Sequence, residues 1–328
     1  MDTKNLPKAK TDDDSLGITA FLNKENVRNQ VNQAVGKNSM RFVSSVVSAV
    51  TVNPALQECT NKSILAAALL GESLNLSPSP QLGQYYMVPY ENKKAMVKVA
   101  QFQMGYKGYI QLAIRSGQYK KMNVLAIKEG ELVRFNPLEE EIEVRLIEDE
   151  EKREQAKTIG YYAMIENING FKKAVYWSRK KMLSHADRYS QAFSKDAKKI
   201  KAYDYKAKAE VEKVKVSFED FEAGNYPKED EWMYSSFWYK DFDGMAYKTM
   251  IRQLISKWGI MSIEMQRAYE GDMAEINGDG TNRDVGNRPE DDYIDITASD
   301  SAEDAFAGKE TEWRQQFNSD GGADGTVK

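Results

Sequence analysis

The chain has 328 residues, one cysteine, one histidine and a formal net charge of −4 at pH 7. A single cysteine excludes an internal disulfide, and one cysteine with one histidine cannot supply the ligands of a zinc site. The N-terminus is polar, and no apolar run approaches the ~20 residues that span a bilayer, so the sequence predicts a cytoplasmic protein without membrane contact.

The N-terminal part of the chain is predicted to be an arm followed by helices. Residues 1–35 form this arm, and we expect it to be partly disordered because about the first 24 residues show no hydrophobic periodicity. Apolar positions within residues 42–50 share one helical face, and Asn53 and Pro54 end that helix and begin the next. Residues 63–74 predict a further helix, which the SPSP stretch ends.

From Gly83 onwards the pattern predicts strands, because valine and aromatic residues alternate. GQYYMVPY and KAMVKVAQF are expected to pair around a turn at Glu91 and Asn92. Helical spacing returns over residues 106–115, where Gly117 is a stop signal. Strands are predicted again over residues 121–147. After an acidic loop comes the sequence Asn169-Gly170, which predicts a hairpin.

Helices are predicted again from Arg179. The lysine-dense residues 195–215 are expected to form a solvated helix or a linker. SSFWYKDFDGMAYKTMIRQLISKWG predicts a long amphipathic helix that is interrupted near Gly244. Helices, a strand cluster and helices again predict an α+β fold, with a largely antiparallel sheet packed with helices and a core over residues 36–269.

Charge is unevenly distributed along the chain. Residues 270–328 contain 16 acidic and 5 basic residues, which leaves 41 basic and 34 acidic residues in the rest of the chain. A basic body indicates a polyanionic partner. The acidic tail, residues 270–328, is predicted to be flexible and disordered. It either docks a partner protein through DDYIDI and TEWRQQF, or it serves only to solubilise the protein and repel DNA.

Catalytic motifs are scarce, so we expect no enzymatic activity and no cofactor. The sequence lacks a GxxxxGK[ST] phosphate loop and a Rossmann fingerprint. His185 lies beside Asp187 in a polar helix, which favours a surface or partner-contact residue over a general base. A magnesium-dependent nuclease is the alternative, with carboxylates at residues 139–141, at residues 148–151, or at Asp241 and Asp243. The two runs are typical of solvated loops, and the aspartate pair is typical of a helix N-terminus.

Basic and aromatic residues are concentrated in two stretches. Residues 93–134 contain nine basic and two acidic residues, and residues 172–215 contain fourteen basic and five acidic residues. Single-stranded nucleic acid needs this mixture, because cations follow the phosphates and flat rings support the bases. Each aromatic residue taken singly is more often part of a core, whereas the basic residues as a set indicate polyanion binding.

Three motifs resemble the RecT family of phage single-strand annealing proteins: LGESLNLSPSPQLGQYYMVPY, QMGYKGYIQLAIRSG and WYKDFDGMAYKTMIRQL. They lie within residues 70–254 in the family's order, and the resemblance covers roughly residues 53–258, although SLNLSP departs from the more usual Leu-Gly-Leu-x-Pro form. The resemblance implies a protein of homologous recombination in a bacterial host. It would coat single-stranded DNA as a ring or helical homo-oligomer, without ATP or metal, and anneal complementary strands into a duplex.

The resemblance has further implications for partners and fold. A phage exonuclease and a host single-strand binding protein would be partners. The fold would be a curved antiparallel sheet packed on a helix, similar to the annealing core of Redβ and Rad52. A nonspecific coating protein that binds single-stranded DNA without annealing it is the second alternative.

Candidate DNA contacts come from the motifs and the predicted hairpin. The expected phosphate contacts are Lys98, Lys107, Arg115, Lys120, Lys121, Lys172 and Lys173. Lys248 and Arg252 are further candidates, one turn apart on one helical face. Tyr106 is the candidate for contact with sugar or base.

Overall fold

The computed structural model describes residues 13, 15–92, 97–139, 141–190, 192–204, 209–277 and 279–283. Its helices are α1 (Ile18–Leu22), α2 (Glu25–Val35), α3 (Ser39–Val52), α4 (Asn61–Ser73), α5 (Tyr106–Ser116), α6 (Glu150–Gln155), α7 (Arg179–Tyr189), α8 (Phe218–Glu222), α9 (Phe237–Lys240), α10 (Phe242–Trp258) and α11 (Ile263–Met273). Its strands are β1 (Tyr85–Asn92), β2 (Val97–Met104), β3 (Tyr119–Lys128), β4 (Leu132–Asn136), β5 (Glu141–Val144), β6 (Thr158–Asn167), β7 (Lys172–Ser178), β8 (Lys198–Asp204), β9 (Ala209–Lys215), β10 (Glu275–Ile276) and β11 (Asn282–Arg283). Residues 284–328, most of the predicted tail, lie outside the described residues.

Each of these strands pairs with its neighbour in the antiparallel direction. β3, β6 and β7 form a three-stranded sheet in the order β3-β6-β7, and β1–β2, β4–β5, β8–β9 and β10–β11 form two-stranded hairpins. In the three-stranded sheet Lys121 pairs with Glu166 and Glu166 with Lys172, so these three residues form one row across the sheet. The α+β class with antiparallel sheets is confirmed.

Helix α10 lies between two hydrophobic clusters. Ile251 and Ile255 belong to the first cluster, which α3, α4, β1, β2 and α5 supply with most of its side chains. Met250 and Leu254 belong to the second, which includes residues of β6, α7 and α9. A helix with apolar side chains on most of its sides is typical of a protein interior.

Several local signals in the sequence are confirmed. Gly117 follows α5 with a left-handed φ of 66°, and Gly170 occupies the β6–β7 turn with a φ of 85°. Both conformations favour glycine because a Cβ atom would be strained there. The break in the long C-terminal helix falls at Asp241, which is three residues before the expected position at Gly244. None of the helices among the described residues is long and apolar enough to cross a bilayer.

The N-terminal arm is folded from Ile18 onwards. Phe21 and Leu22 of α1 are almost completely buried in the first cluster, as are Val27 and Val31 of α2. The expectation of a structureless segment up to about residue 24 is therefore wrong for α1. Two adjacent apolar residues anchor the helix in the core, although five residues are too few to produce a visible periodicity.

Residues 195–215 contain a hairpin, so the expectation of a solvated helix or linker is wrong. In β8–β9 Lys199 lies 3.1 Å from Glu212 across the strands. Lys215 is buried and donates a hydrogen bond to the Ala192 carbonyl at 2.7 Å, with its ammonium group near the Tyr239 ring. Long basic side chains can cover apolar surface with their stems, so a lysine-rich strand need not be a linker.

The described chain stays folded past residue 269. That predicted boundary between core and tail falls inside α11. Beyond the helix, the Ile276 N–H donates to the side-chain oxygen of Gln101 at 2.7 Å, and the Gln101 amide donates back to the Ile276 carbonyl at 2.9 Å. This pair of bonds fixes β10 against β2.

Candidate nucleic-acid interface

Two glycines bring the first and second motifs into contact. A Cβ atom on Gly105 would lie 2.1 Å from the Gly83 oxygen, and one on Gly108 would lie 2.1 Å from the Gln84 oxygen. The Gly105 N–H donates to the same Gln84 oxygen at 2.9 Å. Because no other residue permits this approach, the glycines hold the start of α5 against the loop before β1.

Three half-buried tyrosines surround this contact, one from each motif. The Tyr106 ring packs edge-on against Tyr247 at 5.6 Å, and the Tyr86 ring lies 5.6 Å from Phe237. Burial raises the pKa of the Tyr86, Tyr106 and Tyr247 hydroxyls. The rings therefore stay uncharged at neutral pH. Tyr86 and Tyr106 offer half-exposed flat surface to a ligand, whereas the Tyr247 hydroxyl already makes a hydrogen bond with the Ala126 backbone.

Exposed cations lie beside these tyrosines. The Lys107 stem passes over Gly83, close to the Tyr86 hydroxyl, and its ammonium group lies 6.0 Å from the centre of the Tyr106 ring. Lys240 ends α9 and is exposed. Neither lysine makes an ion pair with another residue in the described part of the chain. We call Tyr86, Tyr106, Lys107, Lys240 and Tyr247 the tyrosine–lysine junction.

Two clefts meet at Lys240. One has a volume of about 520 Å³ and is lined by Tyr86, Phe237 and prolines that include Pro78. The other has a volume of about 510 Å³, and its lining includes Lys128, Lys157 and Arg179. The second cleft is also lined by Glu222, Asp241 and Asp243, so its charges are mixed. Lys240 is an exposed cation at the edge of the apolar cleft, which suits a ligand that is both flat and anionic.

The aspartates beside the junction have structural partners. Asp241 Oδ1 accepts a hydrogen bond from the Gly244 N–H at 2.9 Å and caps α10, and Asp243 Oδ1 accepts one from the Tyr161 hydroxyl at 2.6 Å. These bonds agree with the interpretation of a helix N-terminus. Among the described residues no group of three or more His, Cys, Asp and Glu is close enough to hold a metal ion.

The lysines at one end of the three-stranded sheet surround a single carboxylate. Lys120 Nζ lies 2.7 Å from one Glu166 oxygen, and Lys172 Nζ lies 3.6 Å from the other. The hydrogen bond from Lys120 holds the pKa of Glu166 below its usual range, so the carboxylate is charged and offsets one cation. Lys121 is exposed and has no ion pair within the described chain.

Three further candidate cations are exposed or half-buried and already have partners. Lys98 forms an ion pair with Glu58, and the Lys173 ammonium group lies 4.3 Å from the centre of the Trp258 ring. Arg115 donates to the Leu74 carbonyl at 2.8 Å and thereby ties the end of α5 to the end of α4. Lys172 and Lys173, which are adjacent in sequence, thus have different partners, Glu166 and Trp258.

Lys248 and Arg252 do not lie on the surface of this chain. Lys248 is 3% exposed and pairs with Asp272, and the Arg252 guanidinium lies 4.6 Å from the centre of the Tyr269 ring. The two residues do share one helical face, but α11 covers it. The expected phosphate contact is therefore corrected to a contact between helices. The counter-charge comes from a later helix, which helical spacing could not reveal.

His185 is also buried, contrary to the expectation of a surface residue. Its ring lies 5.4 Å from that of Trp177 and 4.6 Å from that of Tyr189.

Three residues of the junction, Tyr86, Lys240 and Tyr247, are not among the contacts predicted from the sequence. The available signal was their position in the motifs that resemble the RecT family.

A family profile and two curated proteins are similar to this chain. The RecT family profile matches residues 40–286. The chain is 36% identical over 265 residues to the Uncharacterized protein YqaK of Bacillus subtilis (strain 168). This match covers 81% of this chain and 74% of that protein. It is 26% identical over 262 residues to Protein RecT of Escherichia coli (strain K12), and the match covers 79% of this chain and 81% of that protein. The chain therefore belongs to the RecT family.

Proposed function

We propose that this protein binds single-stranded DNA without ATP, oligomerises on it and anneals it to a complementary strand during phage recombination. The observation that supports this most directly is the tyrosine–lysine junction. All three motifs that resemble the family contribute to it, and it combines half-buried rings with exposed cations.

The chemistry of the junction suits backbone binding. Lys107 and Lys240 neutralise phosphates, which lowers the repulsion that a second strand meets. Tyrosine rings accept any base by stacking and carry no sequence preference. Watson–Crick edges stay free for pairing, which supplies about 1.4 kcal/mol per stacked step. Annealing therefore needs no nucleotide hydrolysis.

The remaining exposed candidates extend this path in the proposal. Lys98, Arg115, Lys120, Lys121, Lys172 and Lys173 add positive charge around α5 and the sheet. Lys98, Arg115, Lys120, Lys172 and Lys173 have intramolecular partners that occupy part of this charge, so we expect each of these five to contribute less than Lys107.

The experiment is annealing of two complementary, unstructured oligonucleotides, one with a fluorophore and one with a quencher, without ATP or magnesium. The proposal predicts faster annealing at low salt and a steep fall in binding as salt rises. Binding without acceleration would instead support the nonspecific coating protein. Shortening of the labelled strand after magnesium is added would support the nuclease.

We also propose that DDYIDI and TEWRQQF in the acidic tail dock a phage exonuclease or a host single-strand binding protein. The apolar side chains in these stretches lie among acids, a pattern that suits a docking peptide. The substitutions Tyr293→Ala and Trp313→Ala should abolish recombination in cells and leave annealing by the purified protein intact. Loss of neither activity would favour the solubilising role.

A further inference from the structure

One end of the three-stranded sheet exposes both apolar and basic side chains. The Ile168 N–H donates to the Gln118 carbonyl at 3.0 Å, and the Tyr119 hydroxyl donates to the Ile260 carbonyl at 2.9 Å. These bonds bring the β6–β7 turn and the end of α10 to the start of β3. The exposed apolar residues there are Ile168, Phe171, Trp258 and Ile260. With Lys121 and Lys172 they form what we call the basic end.

The β4–β5 hairpin and the segment after it carry the opposite charge. Residues 138–151 contain eight acidic residues and one basic residue. Leu138, at the hairpin turn, is 89% exposed, and Leu146 and Val133 are exposed as well. We call residues 132–151 the acidic hairpin. Leu138 is thus an exposed apolar side chain at the tip of a strongly acidic hairpin, while Val133 and Leu146 lie at its base.

The two surfaces do not satisfy each other within one chain. Glu139, Glu141, Glu143 and Lys121 make no ion pair with any residue of the described chain. The acidic hairpin begins after Lys128, about 23 Å along β3 from Lys121, and its Phe135 ring packs 5.0 Å from the Tyr176 ring of β7 in the same chain. Two complementary surfaces at separate places on one molecule are the requirement for a head-to-tail contact.

We propose that the acidic hairpin of one copy docks on the basic end of the next. Leu138 would pack among the exposed apolar residues around Ile168, while the glutamates would face Lys121 and Lys172. Because the contact joins two different surfaces, it repeats and generates a ring or a filament. The inference rests on the proposed function, which requires an oligomer, and it gives Lys121 and Lys172 a role in subunit contact besides the phosphate contacts proposed for them.

Charge exchange between two full-length variants tests this contact by sedimentation velocity without DNA. The first variant carries Glu139→Lys, Glu141→Lys and Glu143→Lys, and the second carries Lys121→Glu and Lys172→Glu. Wild type should assemble at low salt, and each variant alone should need at least a tenfold higher concentration to do so. An equimolar mixture should assemble again, because both kinds of contact between the two variants then pair opposite charges.

Several outcomes would overturn the proposal. They are a wild type that stays monomeric at low salt, variants that assemble alone as wild type does, and a mixture of folded variants that stays monomeric. If only the Lys121 and Lys172 variant lost assembly, another acidic segment such as the tail would occupy the basic end. Circular dichroism of each variant checks its folding.

An apolar substitution gives an independent measurement. Leu138→Ser should weaken assembly at least tenfold, while Met40→Ser, at a residue that is 84% exposed on α3, should leave it unchanged. Equal effects of the two substitutions would contradict the contact.

Annealing by the wild type separates the proposed contact from the proposed function. Assembly by these contacts without annealing would refute only the proposed function. Annealing with assembly that is insensitive to charge exchange would refute only the contact.

Discussion

The Lys248 ammonium group lies 3.0 Å from Asp272 Oδ1, and both side chains are almost completely buried. Asp272 also accepts hydrogen bonds from the Met104 N–H at 2.8 Å and from the Tyr109 hydroxyl at 3.3 Å. One carboxylate thus connects α10, the end of β2, α5 and α11.

We expect Lys248→Met to lower the free energy of unfolding by about 3–5 kcal/mol, because it leaves a buried carboxylate without its counter-charge. Urea unfolding followed by circular dichroism measures the loss. Adding Asp272→Asn to this variant should restore part of the stability, since the neutral side chain can still accept from Met104. A loss below about 1 kcal/mol for the single variant would argue against a buried pair.

Lys107→Ala should weaken binding to single-stranded DNA of any sequence. Removing one phosphate contact should reduce the slope of log affinity against log salt by about 0.7. Fluorescence anisotropy at several salt concentrations measures both quantities. Lys37→Ala is the matched control, because Lys37 is exposed just after α2 and lies outside the three motifs. Equal slopes for the two variants would remove Lys107 from the interface.

Tyr86→Ala and Tyr106→Ala should each weaken binding by about 1–3 kcal/mol if a base stacks on the ring. Phenylalanine at the same positions should retain most of the affinity, because it keeps the flat face. Comparable losses for alanine and phenylalanine would instead assign the contribution to the hydroxyl.

Gly105→Ala should destabilise the protein by about 1–3 kcal/mol and weaken DNA binding, because the new methyl group would overlap the Gly83 carbonyl. Thermal unfolding and DNA affinity are the measurements. Gly17→Ala is the control, since Gly17 has a φ of −62° and open space around it. An unchanged melting temperature for the Gly105 variant would show that the loop before β1 can shift to accommodate the methyl group without loss of stability.

The buried carboxylate of Glu131 should make stability depend on acid pH. Burial raises the pKa of Glu131, but hydrogen bonds from Arg153 and from the Lys128 and Ile147 N–H groups outweigh it and hold the pKa below 4.5. A carboxyl group whose pKa is lower in the folded than in the unfolded protein stabilises the fold at pH values above its unfolded pKa. This stabilisation is lost as the pH falls through the folded pKa.

Glu131→Gln should therefore cost about 1.5–3 kcal/mol at pH 7. Urea unfolding at pH 7 and at pH 3 should show a smaller difference between variant and wild type at the lower pH. A difference that stays constant between these pH values would contradict the assigned pKa direction.

Most sequence signals that depend on neighbouring residues are confirmed, although the turn expected at Glu91 and Asn92 is wrong because both residues pair within β1–β2. Gly117 ends α5, Asn169 and Gly170 form the β6–β7 turn, and alternation predicts β1 and β2. In each case the backbone conformation follows from the residue itself or from its neighbours within a few positions.

Features that depend on residues distant in sequence could not be predicted in the same way. Lys248 and Lys215 look like surface lysines, but each is buried against residues that the local sequence cannot show. The junction has the same origin. Tyr86 and Tyr247 are 161 positions apart, and their ring contacts, with Phe237 and with Tyr106, join segments that are distant in sequence. Only the family motifs indicated that these stretches belong together.

The position of α10 between the two clusters has a consequence for how the protein opens. Neither cluster can lose its packing without exposing a face of that helix to water, because Ile251 faces one cluster and Met250 the other. Amide hydrogens at the centre of α10 should therefore exchange only through global unfolding and be the slowest in the molecule. The first cluster and the second, which includes residues of β6, should therefore lose their packing together.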